Sequence, residues 1–313
     1  MRLAIMGSGG VGGYFGARLA EAGHDVTFIA RGDHLTAMQA EGLRVSSIEG
    51  DLRLAEVRAT EDPAAVGAVD AVLVAVKAWQ VAEAARRIRP MIGPDTVVVP
   101  LENGVEAADQ LAAVLGRAHV LEGLCGILAW REAPGHIRHA GVSPFVRFGE
   151  RDNRRSKRAL RLKAAFERAR GVTAEIPDDI QVAVWSKFLF ICAMSGIGSV
   201  TRAPIGTTRR LPETRALIEQ ILAEIEAVAR ARGVKLPGDA AARALSFIDA
   251  LPESSTASMQ RDIMAGRPSE LESQNGAVVR LGREAALATP INAMIHAALL
   301  PQERKARGEP AQP

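Results

Sequence analysis

The 313-residue chain has only two cysteines, Cys125 and Cys192. They stand far apart inside apolar stretches, and neither has the spacing of a metal-ligand pair. A cysteine-built metal centre is therefore not expected, and buried reduced thiols are. Charge of one sign is also lacking: 39 Lys and Arg face 36 Asp and Glu, for a net charge of +3. That balance suits anionic small molecules and is too diffuse for a nucleic-acid-binding face. The densest basic run, 151–170, reads as an amphipathic helix with Leu160, Ala164, Phe166 and Ala169 on its buried side and its charges in solvent. No uninterrupted apolar run approaches the ~20 residues of a membrane span, and no basic segment precedes a long apolar core at the N-terminus. Neither a nucleic acid nor a membrane is an expected partner, and the cytoplasm is the default location. What remains is an ordinary globular composition, 48% hydrophobic and 24% charged, with room for two domains.

The first thirty-one residues carry the most information. Leu3–Met6 is a short apolar strand, and Gly7-Ser8-Gly9-Gly10-Val11-Gly12 follows it at once, fitting G-x-G-x-x-G. A helical pattern runs on through Leu19 and Ala20, Gly23 ends it, and Val26–Ala30 reads as a second strand. In this setting Gly7 allows the tight turn, Gly9 lets the backbone approach a pyrophosphate, and Gly12 lets helix and strand pack closely. The helix start adds free N–H groups and positive dipole. The stretch predicts a dinucleotide site; glycines serving only a tight strand-to-helix turn are the alternative. Arg31 at the end of the second strand points to a 2′-phosphate and hence to NADP, where an acid there would bind the ribose 2′-hydroxyl of NAD. The alternative is a solvated Arg31, with Asp33 as the acid that matters.

The fold class read from the pattern is α/β: an N-terminal Rossmann-type doubly wound sheet followed by a C-terminal all-helical domain. Asp70–Lys77 and Thr96–Pro100 are near-continuous apolar runs, as strands buried on both faces are, and His119–Gly123 reads as a third strand. Helices are expected over 80–92 and 105–115. Around Ile137 and Phe145–Phe148, two short strands are expected to extend the sheet antiparallel at one edge. From about Ile180 the pattern is helical: Glu213–Arg232, bracketed by Pro212 and Gly233, then 238–250, 254–265, 271–286 and 291–299. The expected domains are 1–177 for dinucleotide binding and 178–302 for substrate binding and dimerisation. A frayed tail is expected over 303–313.

Five further pieces complete a pattern: Val76-Lys77-Ala78-Trp79-Gln80, Glu102-Asn103-Gly104, Trp185-Ser186-Lys187, Ser258-Met259-Gln260-Arg261-Asp262, and Ser269-Glu270. With the glycine turn and Arg31, their order and spacing resemble the ketopantoate reductases, the 2-dehydropantoate 2-reductase family, over nearly the whole chain. The resemblance implies a 6-phosphogluconate-dehydrogenase-like fold and NADPH-dependent reduction of a 2-oxo acid to a 2-hydroxy acid, with a lysine as general acid.

Each residue has its own chemistry beside that resemblance. Lys77 closes an apolar strand, at the strand end where sheet ligands bind, so it is placed to meet cofactor phosphate or ribose; a solvated strand-end lysine is the alternative. Asn103 offers donor and acceptor at another strand end, suiting the nicotinamide side or the catalytic lysine, unless it only forms an Asn-Gly turn. Lys187 sits among Trp185, Phe188, Leu189, Phe190 and Ile191, where desolvation disfavours the charged form and favours proton donation to a carbonyl oxygen. A lysine snorkelling to water is the alternative. Glu270 reads alone as a helix-start acid. By resemblance it binds a substrate hydroxyl, contributes to the cofactor site and helps hold Lys187. Ser258, otherwise a surface serine, by resemblance bonds the substrate carboxylate.

Departures from the ketopantoate-specific pattern fall at Ile191, Ser195 and Ser255, where that pattern has asparagines. Ser195 and Ser255 stay candidate substrate-binding positions, but lost hydroxyl-binding groups bear directly on specificity. Three readings follow: a ketopantoate reductase, a reductase of another branched 2-oxo or related hydroxy acid, and an idle NADP-binding sensor or assembly partner. A homodimer is expected from the apolar surface of the helical half.

Overall fold

The structure, a computed structural model, describes residues 1–309. Two compact units divide it: Met1–Glu102 with Glu106–Ile180, and Asn103–Val105 with Gln181 onward. The first is α/β and the second helical, the two-part fold class the sequence implies.

The first unit begins with β1 (Arg2–Met6), α1 (Gly10–Glu21), β2 (Asp25–Ile29), α2 (Gly32–Glu41), β3 (Leu43–Ser47), β4 (Leu52–Leu54) and β5 (Arg58–Thr60). It continues through β6 (Val69–Val74), α3 (Val81–Arg87), β7 (Ile92–Pro100), α4 (Ala107–Leu115), β8 (Glu122–Ala133), β9 (His136–Gly149), α5 (Lys157–Glu167) and β10 (Thr173–Glu175). A parallel sheet runs in the order β5-β2-β1-β6-β7. Alternate side chains feed opposite cores, as a period of two requires. Ala4, Met6, Val72, Val74 and Val98 join the core that includes Val81, Ala84 and Leu111 of α3 and α4. Leu3, Ile5, Leu73, Val97 and Val99 join Tyr14, Phe15 and Leu19 of α1 on the other face. The strand order reverses beside β1, because the chain moves outward to β2 and then returns to β6. Ligands of such sheets bind outside the strand ends at that point. Gly7 follows β1 there, and Lys77 comes shortly after β6.

The expected edge extension is corrected. Ile137 and Phe145–Phe148 belong to one 14-residue strand, β9, in a second sheet of order β10-β9-β3-β4 with β8 also paired to β9. Gly135, at φ +68, makes the tight turn between β8 and β9, and the stretch 43–54 supplies partners that the sequence left without a clear period. This sheet covers the α1 side of the first, through Val45, Ile137, Val146 and Phe148. Three smaller corrections share a cause, which is that tertiary packing shifts element ends and phases. β6 stops at Val74, so Lys77 lies in the following turn. Residues 119–121 make only an isolated bridge, Val98 to Val120, before β8 begins. In α5 the buried set is Ala159, Leu162, Ala165 and Phe166, whereas Leu160 and Ala164 are exposed.

The helical unit comprises α6 (Ile180–Thr201), α7 (Ile205–Arg210), α8 (Pro212–Ala231), α9 (Ala240–Ala250), α10 (Ser258–Met264), α11 (Asn275–Glu284) and α12 (Pro290–Ala306). Ile218, Ile221, Leu222, Ile225 and Val228 form the buried stripe of α8. The helix α6 is long and apolar enough to cross a membrane by length and composition, a feature that counting uninterrupted runs missed. Here 61% of its most apolar window is buried within the fold, as in a core helix. The single helix expected over 271–286 is broken, with a 3-10 turn at Leu271–Ser273 and α11 beginning only at Asn275. The frayed tail is corrected as well: α12 continues to Ala306 and Glu303 is fully buried. Residues 310–313 of that expected tail lie outside the described residues.

Candidate active site

The glycine turn in the first unit has the geometry its sequence implies. Gly7 has φ +97, and a Cβ there would lie 2.7 Å from the Ala75 carbonyl oxygen. A Cβ on Gly12 would stand 2.0 Å from the Gly7 carbonyl oxygen and 2.8 Å from Ile5, so α1 packs directly on the strand turn. Gly9 is different: nothing lies within 4 Å of its Cβ position, and it caps α1 without a side-chain hydrogen bond. The first turn of α1, with Gly10, Val11 and Gly12, contains no acid. Its leading N–H groups have no intrahelical acceptors, so an anion is the group this opening fits. Ser8 is buried, its hydroxyl donating to the Ile29 carbonyl (3.0 Å), which ties the turn to β2 rather than leaving the side chain to a ligand.

Around the turn, Arg31 is exposed at the start of α2, with Asp33 in the first turn of that helix. Lys77 is half-buried, its ammonium 5.8 Å from the Trp79 ring centroid. Glu102 has a structural role that its motif did not reveal. Its carboxylate is buried and accepts from the Val76 and Leu101 amides, each at 3.1 Å, joining the ends of β6 and β7. The sequence also missed β8, whose Ala129 carbonyl oxygen would lie 2.4 Å from a Cβ on Gly10. Only glycine at position 10 lets that strand approach.

The helical unit gathers a second set. Asn103 belongs to this unit, and its side-chain amide donates to Glu270 Oε2 at 3.3 Å. Gln274 Nε2 approaches the same oxygen at 3.5 Å. Glu270 is 5% exposed and is held from behind by the C-terminal helix. Glu303 accepts from the Ser269 amide (3.0 Å) and hydroxyl (2.5 Å), while Arg307 pairs with Glu303 at 2.7 Å and donates to the Ser269 carbonyl at 2.9 Å. No sequence signal marked Glu303, because a lone acid near a chain end looks like solvent-facing charge.

Lys187 is half-buried in the second turn of α6, between buried Trp185 and Phe188. No hydrogen bond or ion pair joins it to Glu270 among the described residues. Ile191 and Ser195 follow it at helical spacing. Ile191 is half-buried, whereas Ser195 is fully buried and its hydroxyl has no hydrogen-bond partner. Ser258 opens α10 and is half-buried. Ser255 is half-buried in the preceding loop, where its carbonyl accepts from the Ile205 amide at 3.0 Å.

Behind these positions runs a buried polar chain that the sequence did not foretell. Glu224 accepts from the Asn292 side chain at 2.7 Å, and Asn292 in turn accepts from Asn275 at 2.9 Å and from the Cys192 thiol at 4.0 Å. Complete burial pushes the Cys192 thiol far above its ordinary pKa, so the sulfur stays protonated.

Comparison with known proteins decides the family. The model described as ketopantoate reductase PanE/ApbA matches residues 3–153, and that of the C-terminal part of the same family matches 179–303. This chain belongs to the ketopantoate reductase family. It is 32% identical to a 2-dehydropantoate 2-reductase from Mesorhizobium japonicum, covering 93% of this chain and 94% of that one. An uncharacterized oxidoreductase YkpB of Bacillus subtilis is also 32% identical, over 96% and 98% of the two chains. The structure of a PanE/ApbA family ketopantoate reductase from Ralstonia eutropha is 34% identical, with a TM-score of 0.89 over 98% of this chain and 100% of that chain.

As a member of the ketopantoate reductase family the protein is an oxidoreductase acting on CH–OH groups, of a class that uses a nicotinamide dinucleotide. The open Gly9 and the uncapped start of α1 fit the pyrophosphate of such a cofactor.

Proposed function

We propose that the protein reduces 2-dehydropantoate to pantoate with NADPH. The observation that carries this reading is the pairing of Asn103 with buried Glu270 in the same unit as half-buried Lys187. Residues 7–12 hold the pyrophosphate, Arg31 the 2′-phosphate, and Lys77 the adjoining phosphate or ribose. The bound cofactor supplies hydride to the carbonyl carbon. Lys187 donates the proton that the carbonyl oxygen requires, a contribution worth roughly 10²–10⁴ in rate. Asn103 orients the nicotinamide end, while Glu270 takes the substrate hydroxyl. Ser258 binds the carboxylate, with Ser255 beside it in sequence and Ser195 further along α6.

A second substrate, another branched 2-oxo acid, is favoured by one specific observation. Ile191 presents no polar group, and the Ser195 hydroxyl is fully buried, so two positions that the ketopantoate pattern fills with asparagine offer less to a substrate hydroxyl. The test is a panel of 2-oxo acids, ketopantoate included, assayed with NADPH and NADH in parallel. Ketopantoate with NADPH should give the highest kcat/KM. A different preferred acid would move the assignment within the family, and cofactor binding without turnover of any acid would revive an idle binding protein.

The same reading places the enzyme in the cytoplasm, with a small 2-oxo acid as its partner and no nucleic acid or membrane. It also makes the enzyme a homodimer through the helical unit, where Leu211, Phe247 and Met294 are exposed. Light scattering of the purified protein tests the last point.

A further inference from the structure

His34 lies in the first turn of α2, 4% exposed, and has no role in the reaction proposed above. Both ring nitrogens are engaged, in opposite senses. The Gly135 amide can only donate, and it donates to Nδ1 at 3.0 Å. Nδ1 is therefore unprotonated and Nε2 carries the hydrogen, which it gives to the Ser8 carbonyl at 2.7 Å. Ser8 is the second residue of the glycine turn, and Gly135 is the tip of the β8–β9 hairpin. The Gly135 carbonyl is itself held by the Arg44 amide at 2.9 Å, so the hairpin end is a fixed anchor. The same hairpin presses Ala129 against Gly10, the first residue of α1.

We propose that His34 is a positioning residue of the dinucleotide site: its neutral imidazole pins the Ser8 peptide to the β8–β9 hairpin and so holds the start of α1 open to the pyrophosphate. The inference rests on the cofactor reading above. The Ser8 hydroxyl still ties the residue to β2 through Ile29, but without the His34 bond the Ser8 carbonyl, and with it the Gly9 amide of the same peptide, loses its link to the hairpin.

The pin is also a proton-sensitive one. Burial, with a smaller contribution from the Arg131 guanidinium on β8, holds the His34 pKa below the ordinary imidazole value, against the opposing pull of its bond to Ser8. The glycine turn brings no charged side chain to the ring. The hairpin brings Arg131, Glu132 and His136, the last two paired at 3.2 Å, and α2 brings Asp33 beside Arg31. At neutral pH the ring is uncharged and both bonds stand. Protonation at Nδ1 turns the acceptor for Gly135 into a donor, and the two N–H groups then oppose each other.

The test is dinucleotide affinity, measured by fluorescence titration of NADH and NADPH across pH 5–8, for the unaltered protein, His34→Ala and His34→Gln. NADH is essential because it has no 2′-phosphate to titrate in this range. The glutamine amide offers an NH2 donor group and a carbonyl acceptor side by side and does not become protonated in this range. Expected at pH 8 is that H34Q binds as the unaltered protein does and that H34A binds about tenfold more weakly, the effect of losing a typical hydrogen bond. Towards pH 5 the affinity of the unaltered protein for NADH should fall while that of H34Q stays level. Equal affinities for H34A and the unaltered protein would overturn the proposal, as would tighter NADH binding at acid pH or parallel pH curves for the unaltered protein and H34Q. Should H34A fail to fold, the comparison with H34Q still decides. If the unaltered protein binds neither dinucleotide at any pH, the cofactor reading itself fails and the pin with it.

Discussion

Lys187 and Arg31 divide the chemistry between reaction and recognition, and their substitution should separate the two. Lys187→Ala should lower turnover by roughly 10²–10⁴, with NADPH affinity measured by titration left nearly intact. Arg31→Ala should weaken NADPH more than tenfold, since a hydrogen bond to a charged group contributes about 1.5–3 kcal/mol, and should leave NADH nearly unchanged. An equal loss for both dinucleotides would remove the 2′-phosphate clamp. His34 adds a stability prediction. Its folded pKa lies below its unfolded value near 6.5, so between those values the unfolded chain binds more protons. Its contribution to stability is complete above about pH 6.5 and declines as the pH falls toward the lowered value. Melting temperatures from pH 7.5 to 5 should therefore drop further for the unaltered protein than for H34Q; curves of equal slope would contradict this. At this scale the sequence was informative where side-chain type dictates backbone. Gly7, Gly9 and Gly12 were legible because each steric demand is local. Glu102, His34 and Glu303 were not, because their roles depend on partners 26, 101 and 34 residues away.

Among the elements, the C-terminal helix α12 carries a consequence opposite to that of a frayed tail. The buried Glu303 carboxylate satisfies the amide and hydroxyl of Ser269, next to Glu270. Glu303→Ala leaves those two Ser269 donors without their carboxylate acceptor, removes the ion pair with Arg307, and should cost about 2–4 kcal/mol. The corner that presents Glu270 should loosen with it. A drop in both melting temperature and kcat is expected, whereas loss of stability with kcat intact would show that the corner is held elsewhere. β9 illustrates why element boundaries were hard to read. Its middle, around Gly141, is polar or small, so periodicity showed two short apolar patches where pairing with β8 makes one strand. The break at Gln274, with φ −111 and ψ −98, was hidden for the reverse reason, since residues on both sides keep a helical pattern.

In the whole molecule, the division into an α/β and a helical unit was legible because the hydrophobic period changes from two to near 3.6 close to Ile180. The membership of Asn103–Val105 in the helical unit was not; a three-residue loop carries no period, and only its contacts assign it. Cofactor binding to the native fold alone should raise the melting temperature, since ligand at a hundred times its Kd adds about 2.7 kcal/mol. The most direct test of the central claim is NADPH oxidation with ketopantoate by the unaltered protein and by K187A, each with NADPH affinity determined on the same preparation. The account predicts rapid oxidation by the first, oxidation reduced at least a hundredfold in the second, and matched affinities. Comparable turnover by the two proteins, with both binding NADPH equally, would contradict it.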